Sequence, residues 1–197
     1  MSQEILLYIH LYGYIGIFIL VFSQEIGLPN PIPNEFILTF SGYLIFSKTL
    51  NVAKVILSAF SADIVAISFL YIVFYFFGNI VYHKKWKWFP ISKEKIDRQL
   101  IKLRNKGTLS IFYGRLTPFI RGYVAAMCGI IQLNIKKFYS IALSTSFIWV
   151  CFYISLGFVL GPYWGFVMSH LSVYKNYIYA FLISLVILMI VRFFIKK

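Results

Sequence analysis

Two segments of this chain place charged and helix-breaking residues inside long apolar sequence. Residues 23–35 read SQEIGLPNPIPNE and contain two carboxylates, and residues 113–122 read YGRLTPFIRG and contain two guanidinium groups. Both segments are flanked by runs of Phe, Ile, Leu and Tyr. A charged side chain at the depth of a lipid bilayer costs about 2.5–3.5 kcal/mol or more, so it is usually retained for a function. The two segments are therefore the first candidates for a functional site.

The composition is typical of a membrane protein. Of the 197 residues, 60% are hydrophobic and 13% are charged, with a mean hydropathy of +0.81, whereas soluble domains carry about 25% charged residues. The length leaves room for a single membrane domain, residues 1–197, without a separate soluble domain. We expect an all-α polytopic protein of the cell membrane.

Three segments are long and apolar enough to cross the membrane as helices. A bilayer core of about 30 Å needs about 20 residues of α-helix, and residues 52–81, 138–161 and 175–195 meet that length. Residues 5–22 form a further apolar stretch, which could span the membrane or lie in its interface. The chain is thus expected to cross the membrane several times.

The two charged segments are too interrupted to be simple spans. After the proline-rich turn, the apolar stretch 36–46 has only eleven residues, too few to cross the core. We therefore predict two re-entrant helical hairpins, over residues 23–46 and 109–131, because irregular backbone at membrane depth is tolerated only where protein or water covers it. The residues expected to break the helices are Pro29, Pro31, Pro33, Gly114, Pro118 and Gly122.

The basic residues are concentrated in the connector formed by residues 82–108. Nine of the nineteen lysines and arginines lie between Lys84 and Lys106. Cytoplasmic loops of membrane proteins are enriched in such residues, and anionic lipid headgroups attract them. We expect the connector to be cytoplasmic and to contact headgroups through residues 84–106. Nucleic acid is not expected as a partner of so apolar a chain.

An inverted repeat is the topology that places every large basic group on one side of the membrane. In it, a hairpin and a span enter from the outer face, and a second hairpin and span follow from the cytoplasmic face. The spacing from Lys54 to Gly78 equals that from Lys137 to Gly161, which supports the repeat. Broken segments at corresponding positions of two halves point to a substrate site at the membrane midplane.

The two arginines of the second segment can converge only if the helix between them is broken. Six positions separate Arg115 from Arg121, about 240° around an ideal helix, and Pro118 between them removes a helical hydrogen bond. A broken hairpin brings both guanidinium groups to one point, with Thr117 between them. Guanidinium groups bind phosphate or carboxylate through two parallel hydrogen bonds. The alternative is that these arginines only pair with carboxylates of this chain.

The carboxylates admit two interpretations. Glu25 and Glu35 flank the proline-rich turn and should lie near each other at the mouth of the first hairpin. Two such groups cannot both ionise at low cost in a low dielectric, so one is expected to gain and lose a proton, as proton coupling requires. They could equally serve as fixed counter-ions to the arginines. Asp63, alone on a span, is expected to be a third partner rather than a polar packing residue.

The remaining polar residues carry weaker signals. The histidines at positions 10, 83 and 170 are isolated, so no metal site and no cofactor is predicted. The sequence leaves the oligomeric state open, including a homodimer. Hydrogen bonds between helices are expected at Ser41, Ser144, Thr145 and Ser146.

At these residues the chain resembles the DedA family, also called SNARE-associated or VTT-domain proteins. The family pattern has an acidic residue, a P-x-P turn and a second acidic residue, which here are Glu25, Pro31, Pro33 and Glu35. Its second pattern, G-R-x-x-P-x-x-R, reads GRLTPFIR at residues 114–121. The resemblance implies two re-entrant hairpins that meet inside a small helical bundle.

The resemblance also implies lipid translocation. Bacterial members are associated with recycling undecaprenyl phosphate to the inner leaflet or with moving phosphatidylethanolamine. Both lipids carry a phosphate, in agreement with the phosphate-binding interpretation of the arginines. The expected function is therefore proton-coupled transport of a phosphate-bearing lipid in the bacterial cytoplasmic membrane. The alternative is a proton-coupled exporter of small ions or cationic compounds; an enzyme such as a lipid phosphatase is disfavoured, because no histidine accompanies the arginines.

Overall fold

The computed structural model describes residues 3–28, 30, 32–83, 107–118 and 120–170. All regular secondary structure in these residues is helical, as the composition predicts. Several predicted features lie outside the described residues: Pro29, Pro31, nearly all of the basic connector, and the last span, 175–195.

The described residues fall into two structural units, of which the first ends at Val159. The helices described in it are α1 (Gln3–Glu25), α2 (Asn34–Phe46), α3 (Val52–His83), α4 (residues 107–116), α5 (Arg121–Ile130) and α6 (Ile135–Val159). The second unit begins at Leu160, and its described part has a 3₁₀ turn, Gly161–Tyr163, followed by helical residues 164–170.

Among the described residues, α3 and α6 are the candidates for crossing a membrane. Val52–Gly78 and Ile135–Val159 have mean hydropathies of 2.1 and 1.8, and both are long enough for a bilayer core. Large apolar side chains, including Phe69, Phe76 and Phe152, remain exposed on their surfaces, as expected of helices that face lipid. The predicted spans 52–81 and 138–161 correspond to these two helices.

The first helix is longer than predicted. α1 runs without interruption to Glu25, so residues 23–25 end this helix instead of starting a hairpin arm. No proline precedes position 29, and nothing else in the sequence stops the helix earlier. Gly27 then supplies the left-handed backbone of the turn, with φ of 88°. The helix therefore extends three residues past the predicted start of the first hairpin at residue 23, and the shorter helix α2, with 13 residues, follows the turn.

The second break lies between α4 and α5, where Pro118 predicts it. α4 ends at residue 116, and α5 begins at Arg121. In the turn between them, the backbone N–H of Ile120 donates to the carbonyl of Pro118 at 2.8 Å. The helix therefore stops within one turn of the proline, as expected from the loss of its backbone donor.

The two short helices, α2 and α5, end in the same way. Each is followed by a residue with left-handed backbone, Lys48 (φ 60°) after α2 and Gln132 (φ 50°) after α5. Each then leads to an asparagine whose side-chain oxygen accepts two backbone N–H groups in the first turn of the next helix, Asn51 for α3 and Asn134 for α6. Asparagine is a favoured N-cap, which explains why α6 begins at residue 135 rather than at the predicted 138.

Glycines allow the short helices to pack closely against the long ones. A Cβ atom added to Gly42 would collide with the backbone of α6, and one added to Gly157 would collide with the backbone of α2. On α5, a Cβ atom at Gly129 would lie 2.5 Å from the Tyr71 carbonyl oxygen of α3. The short helix α2 therefore packs on α6, and the short helix α5 packs on α3.

Candidate functional site

Four charged side chains from four helices meet in the interior of the first unit. Glu25 ends α1, Asp63 lies within α3, Arg115 lies in the last turn of α4, and Arg121 begins α5. They are 5%, 0%, 1% and 5% exposed, in that order. Charged side chains are almost never buried to this extent unless they are paired, and these four pair with one another.

Arg115 has partners around its whole guanidinium group. Its Nη2 donates to Asp63 Oδ2 at 3.1 Å and to Ser146 Oγ at 2.9 Å, and its Nε donates to Thr145 Oγ1 at 3.0 Å. Its Nη1 donates to the backbone carbonyl of Arg121 at 3.5 Å. Because each of its nitrogens already has an acceptor, Arg115 belongs to the framework that holds α3, α4, α5 and α6 together.

Arg121 has a different environment. Its Nη2 lies 2.6 Å from Asp63 Oδ2, and its Nε lies 3.0 Å from Glu25 Oε1. Its guanidinium carbon lies 4.6 Å from the centre of the Trp149 ring, a cation–π contact. Asp63 Oδ2 therefore bridges both arginines, which offsets the repulsion between two buried positive charges.

A cavity of about 450 Å³ opens beside Arg121. Its wall includes Gln24 and Glu25 from the end of α1, Asn34 and Glu35 from the start of α2, and residues 121–123 from the start of α5. The volume lies in the range of small-molecule sites, about 300–1,000 Å³. Of the two arginines predicted to bind an anion, Arg121 lines this cavity and Arg115 does not.

Both short helices present their N-terminal ends to the cavity. Neither Pro33, before α2, nor Ile120, before α5, supplies a side-chain hydrogen bond to the helix start. The first N–H groups of a helix have no partner within the helix and carry partial positive charge. α5 can approach α1 closely because a Cβ atom at Gly122 would lie 2.5 Å from the Glu25 carbonyl oxygen. The wall thus places helix N-termini beside a guanidinium group, a combination that binds anions.

Two predicted site residues form no ion pair or hydrogen bond with the arginines among the described residues. Glu35 lines the cavity, but it forms no salt bridge within the described part of the chain. Thr117, the residue after α4, is exposed, and its hydroxyl donates to the carbonyl of Tyr113 in α4 at 2.9 Å. The structure therefore does not place Thr117 between the guanidinium groups, because the end of α4 carries this side chain to the surface.

The predicted helix breakers divide into two groups. Pro33 precedes α2 and Pro118 lies in the second break. Gly114 and Gly122 are helical residues of α4 and α5, so they do not break these helices. Both instead permit close packing: a Cβ atom at Gly114 would lie 3.0 Å from a methyl group of Val124.

Four uncharged residues contact the buried charged side chains but belong to neither charged motif of the sequence as a predicted ligand: Asn34, Thr145, Ser146 and Trp149. Asn34 donates to Glu25 Oε1 at 3.2 Å. Ser146 lies 83 positions after Asp63, the same offset that separates Lys137 from Lys54, so the proposed repeat could have identified it. The predicted hydrogen bonds between helices occur at Thr145 and Ser146. The hydroxyls of Ser41 and Ser144 donate within their own helices.

The cluster is not built from the usual ligands of a transition metal. Among the described residues, no three His, Cys, Asp or Glu side chains are grouped so that they could hold a metal ion. The two cysteines, Cys128 and Cys151, are both free. The polar groups that line the cavity include guanidinium, carboxylate and amide groups, from Arg121, Glu25, Glu35, Gln24 and Asn34.

Ser146→Ala is expected to destabilise the protein by about 1.5–3 kcal/mol, because it leaves a buried guanidinium N–H of Arg115 without its acceptor. Thermal unfolding of the purified protein in detergent measures the change. Ser144→Ala is the control, since this side chain is exposed on the same helix and its hydroxyl bonds to the Ser140 carbonyl. Equal unfolding temperatures for the two variants would contradict a framework role for Arg115.

Comparison with known proteins agrees with the sequence patterns. The sequence profile of the VTT domain matches residues 32–159. The chain is 26% identical to undecaprenyl phosphate transporter A of Staphylococcus aureus, over 100% of this chain and 98% of that protein. It is 26% identical to undecaprenyl phosphate transporter A of Bacillus subtilis, over 99% and 94%, and 26% identical to an alkaline phosphatase-like protein of Lactococcus lactis, over 99% and 95%. No solved structure matches the chain.

Proposed function

The chain belongs to the VTT-domain family, also called DedA, and we propose that it carries a phosphate-bearing lipid across the bacterial cytoplasmic membrane. Undecaprenyl phosphate is the first candidate, because two relatives that match nearly the whole chain are named transporters of this lipid. A phospholipid such as phosphatidylethanolamine is the second. The observation that carries the proposal is the position of Arg121, on the wall of a cavity where two helices begin.

The cavity wall suits a phosphate headgroup. Arg121 offers a planar fork of N–H donors, which matches the geometry of phosphate oxygens. The first N–H groups of α2 and α5 add partial positive charge on the same wall. Moving a phosphate through hydrocarbon is costly because it loses its hydration, and these donors replace the lost water while the prenyl or acyl tail stays in lipid.

The depth of the cluster suits a site between the two leaflets. Asp63 and Ser146 each lie eleven residues after the first residue of their helices, Val52 and Ile135. At 1.5 Å per residue, this is about 17 Å along the helix, about half of a 30 Å hydrocarbon core. A phosphate held at this depth can be reached from either leaflet by movement of the surrounding helices.

Two re-entrant hairpins in an inverted repeat account for the packing of the short helices. Each half of the chain has a short helix, a left-handed residue, an asparagine cap and a long helix, and 83 positions separate Asn51 from Asn134. Both short helices begin at the cavity. We therefore extend the proposal to hairpins that enter from opposite faces of the membrane and meet at their tips. Half-helices of this kind hold substrates in transporters built from inverted repeats.

We propose that Glu25 releases the phosphate from Arg121. It lies 3.0 Å from Arg121 Nε, where a phosphate oxygen would also bind. The carboxylate and the phosphate therefore compete for the same donors, and a proton on Glu25 or Glu35 favours the phosphate. Proton exchange at these two carboxylates would couple transport to the proton gradient. Asp63, which bridges both arginines, keeps its place throughout.

We also propose a membrane topology for the chain. The chain crosses the membrane several times, and the basic connector 82–108 lies on the cytoplasmic side, where anionic headgroups contact residues 84–106. The cycle consists of binding, reorientation and release, without a chemical step on the lipid.

Transport by the purified protein in liposomes tests the proposal. The liposomes contain undecaprenyl phosphate, and an added phosphatase measures how fast the lipid reaches the outer leaflet. Arg121→Lys is expected to lower the rate by about tenfold or more, because lysine keeps the charge but lacks the planar fork. Arg104→Lys, which makes the same exchange in the basic connector, is the control and should retain the wild-type rate.

Two results would oppose this function. A wild-type rate for Arg121→Lys would show that guanidinium geometry is not used. Loss of export of a cationic compound in Glu25→Gln and Glu35→Gln, combined with a mild effect of the arginine variant, would favour the proton-coupled exporter instead.

A further inference from the structure

Four side-chain oxygens on the wall of the cavity accept no hydrogen bond from any residue that the structure describes. They are Gln24 Oε1, Glu25 Oε2, Asn34 Oδ1 and Glu35 Oε2. Glu25 and Asn34 are only 5% and 3% exposed, so bulk water does not explain their lack of partners. Buried polar atoms are nearly always paired, and an exception points to a bound water, ion or functional group.

The connection between α1 and α2 brings these oxygens together. Gln24 and Glu25 lie in the last turn of α1, and Asn34 and Glu35 lie in the first turn of α2. The Asn34 amide donates to Glu25 Oε1 at 3.2 Å and to the Val21 carbonyl at 3.5 Å. This links the two stretches and leaves the Asn34 oxygen as an acceptor. The four atoms therefore form a group of acceptors, and the buried donor on the same wall that forms no hydrogen bond, Arg121 Nε, lies 3.0 Å from the other oxygen of Glu25, Oε1.

The charges of the cluster favour a cation as the missing partner. Three carboxylates, Glu25, Glu35 and Asp63, accompany the two guanidinium groups of Arg115 and Arg121. The cluster thus carries one excess negative charge when all five groups are ionised. The C-terminal end of α1 adds partial negative charge beside Gln24 and Glu25, and the Glu35 carboxylate offsets the partial positive charge at the first turn of α2.

We propose that these four oxygens form a subsite for a compact monovalent cation, next to the phosphate position at Arg121. The cation is either an inorganic ion such as Na⁺ or the ammonium group of a lipid headgroup, since carboxylate and amide oxygens accept both. Helix C-terminal ends hold coupling ions in other transporters, while helix N-termini hold the anionic substrate. The role of the cation in transport rests on the proposed function, but its binding can be tested without lipid substrate.

The subsite would change what Arg121 can bind. A cation on Glu25 Oε2 draws carboxylate charge away from Oε1, which lies 3.0 Å from Arg121 Nε. The guanidinium group then becomes available to a phosphate. The cation and the phosphate are therefore expected to bind with positive coupling, and each must raise the affinity for the other by the same factor.

Thermal unfolding of the purified full chain in phosphatidylcholine nanodiscs tests cation binding. The midpoint Tm is measured as NaCl or methylammonium chloride replaces choline chloride at constant ionic strength, so that general screening is unchanged. We expect one of the two cations to raise Tm by several degrees in a saturable manner. A response to Na⁺ identifies an inorganic ion, and a response to methylammonium alone identifies a headgroup ammonium.

Two variants assign the response to the cavity. Glu35→Gln and Gln24→Met keep the size of the side chain and are each expected to raise the half-saturating cation concentration by about tenfold. Ser144→Ala, exposed on α6, should keep the wild-type value.

The outcomes separate this inference from the proposed function. Identical Tm values in the three salts, or an unchanged half-saturating concentration in both variants, would overturn the cation subsite even if lipid transport is intact. A saturable response in a protein that transports no phosphate-bearing lipid would retain the subsite and reject the proposed function.

Discussion

Replacing Asp63 by asparagine is expected to lower the free energy of unfolding by about 3–5 kcal/mol, the usual effect of removing one partner from a buried ion pair. Asp63 Oδ2 lies 3.1 Å from Arg115 Nη2 and 2.6 Å from Arg121 Nη2, at a residue with no exposed surface. The amide would leave two adjacent guanidinium groups with Glu25 as their nearest paired carboxylate. Thermal unfolding in detergent and the fraction of monodisperse protein measure the loss.

Glu35→Gln is the matched control for this prediction. It removes a carboxylate from the same cavity, but one that forms no salt bridge within the described residues. Its effect on unfolding is expected to be much smaller than that of Asp63→Asn. If both variants unfold at the same temperature, Asp63 does not hold the two arginines together.

Replacing Gly157 by alanine is expected to destabilise the protein by about 3 kcal/mol, the upper end of the range for overpacked sites. The added Cβ atom would collide with the carbonyl of Thr39 on α2, and backbone cannot rotate aside as a flexible side chain can. α2 also carries Asn34 and Glu35 to the cavity, so liposome transport should fall together with stability. Thermal unfolding and the phosphatase-based transport assay measure the two effects.

Gly16→Ala controls for the loss of a glycine from a helix. A Cβ atom at Gly16 in α1 would meet no atom within 4 Å, and alanine favours the helix over glycine by about 1 kcal/mol. This variant should therefore be as stable as the wild type or slightly more so. A wild-type unfolding temperature for Gly157→Ala would show that α2 and α6 do not approach closely at this point.

Local signals in the sequence predict the helices and their breaks well, because they act through neighbouring backbone groups. Pro118 removes a donor from its own turn, and the second break lies there. The start of α6 is three residues earlier than predicted, because Asn134 caps the helix. The end of α1 is harder to predict. Residues 23–25 have polar side chains, but they include no proline or glycine that would end the helix, and the helix continues through them.

The roles of the two arginines could not be predicted in the same way. Both lie in one short pattern, yet Arg115 is enclosed by Thr145, Ser146 and Asp63, at least 30 positions away along the chain. Arg121, at the start of the next helix, faces the cavity. Nothing within the pattern distinguishes the two guanidinium groups.

The sequence by itself determined that the chain is apolar and helical, that the second break lies at Pro118, and which charged residues lie near the two breaks. The tertiary structure decided which of these charges pair and which of them line a cavity. The physical reason is that a proline affects only the one or two helical turns around it. Ion pairing, in contrast, depends on how closely helices that are distant in sequence pack against each other. That packing depends on Gly42, Gly129 and Gly157, where any side chain would hold the short helices away from α3 and α6.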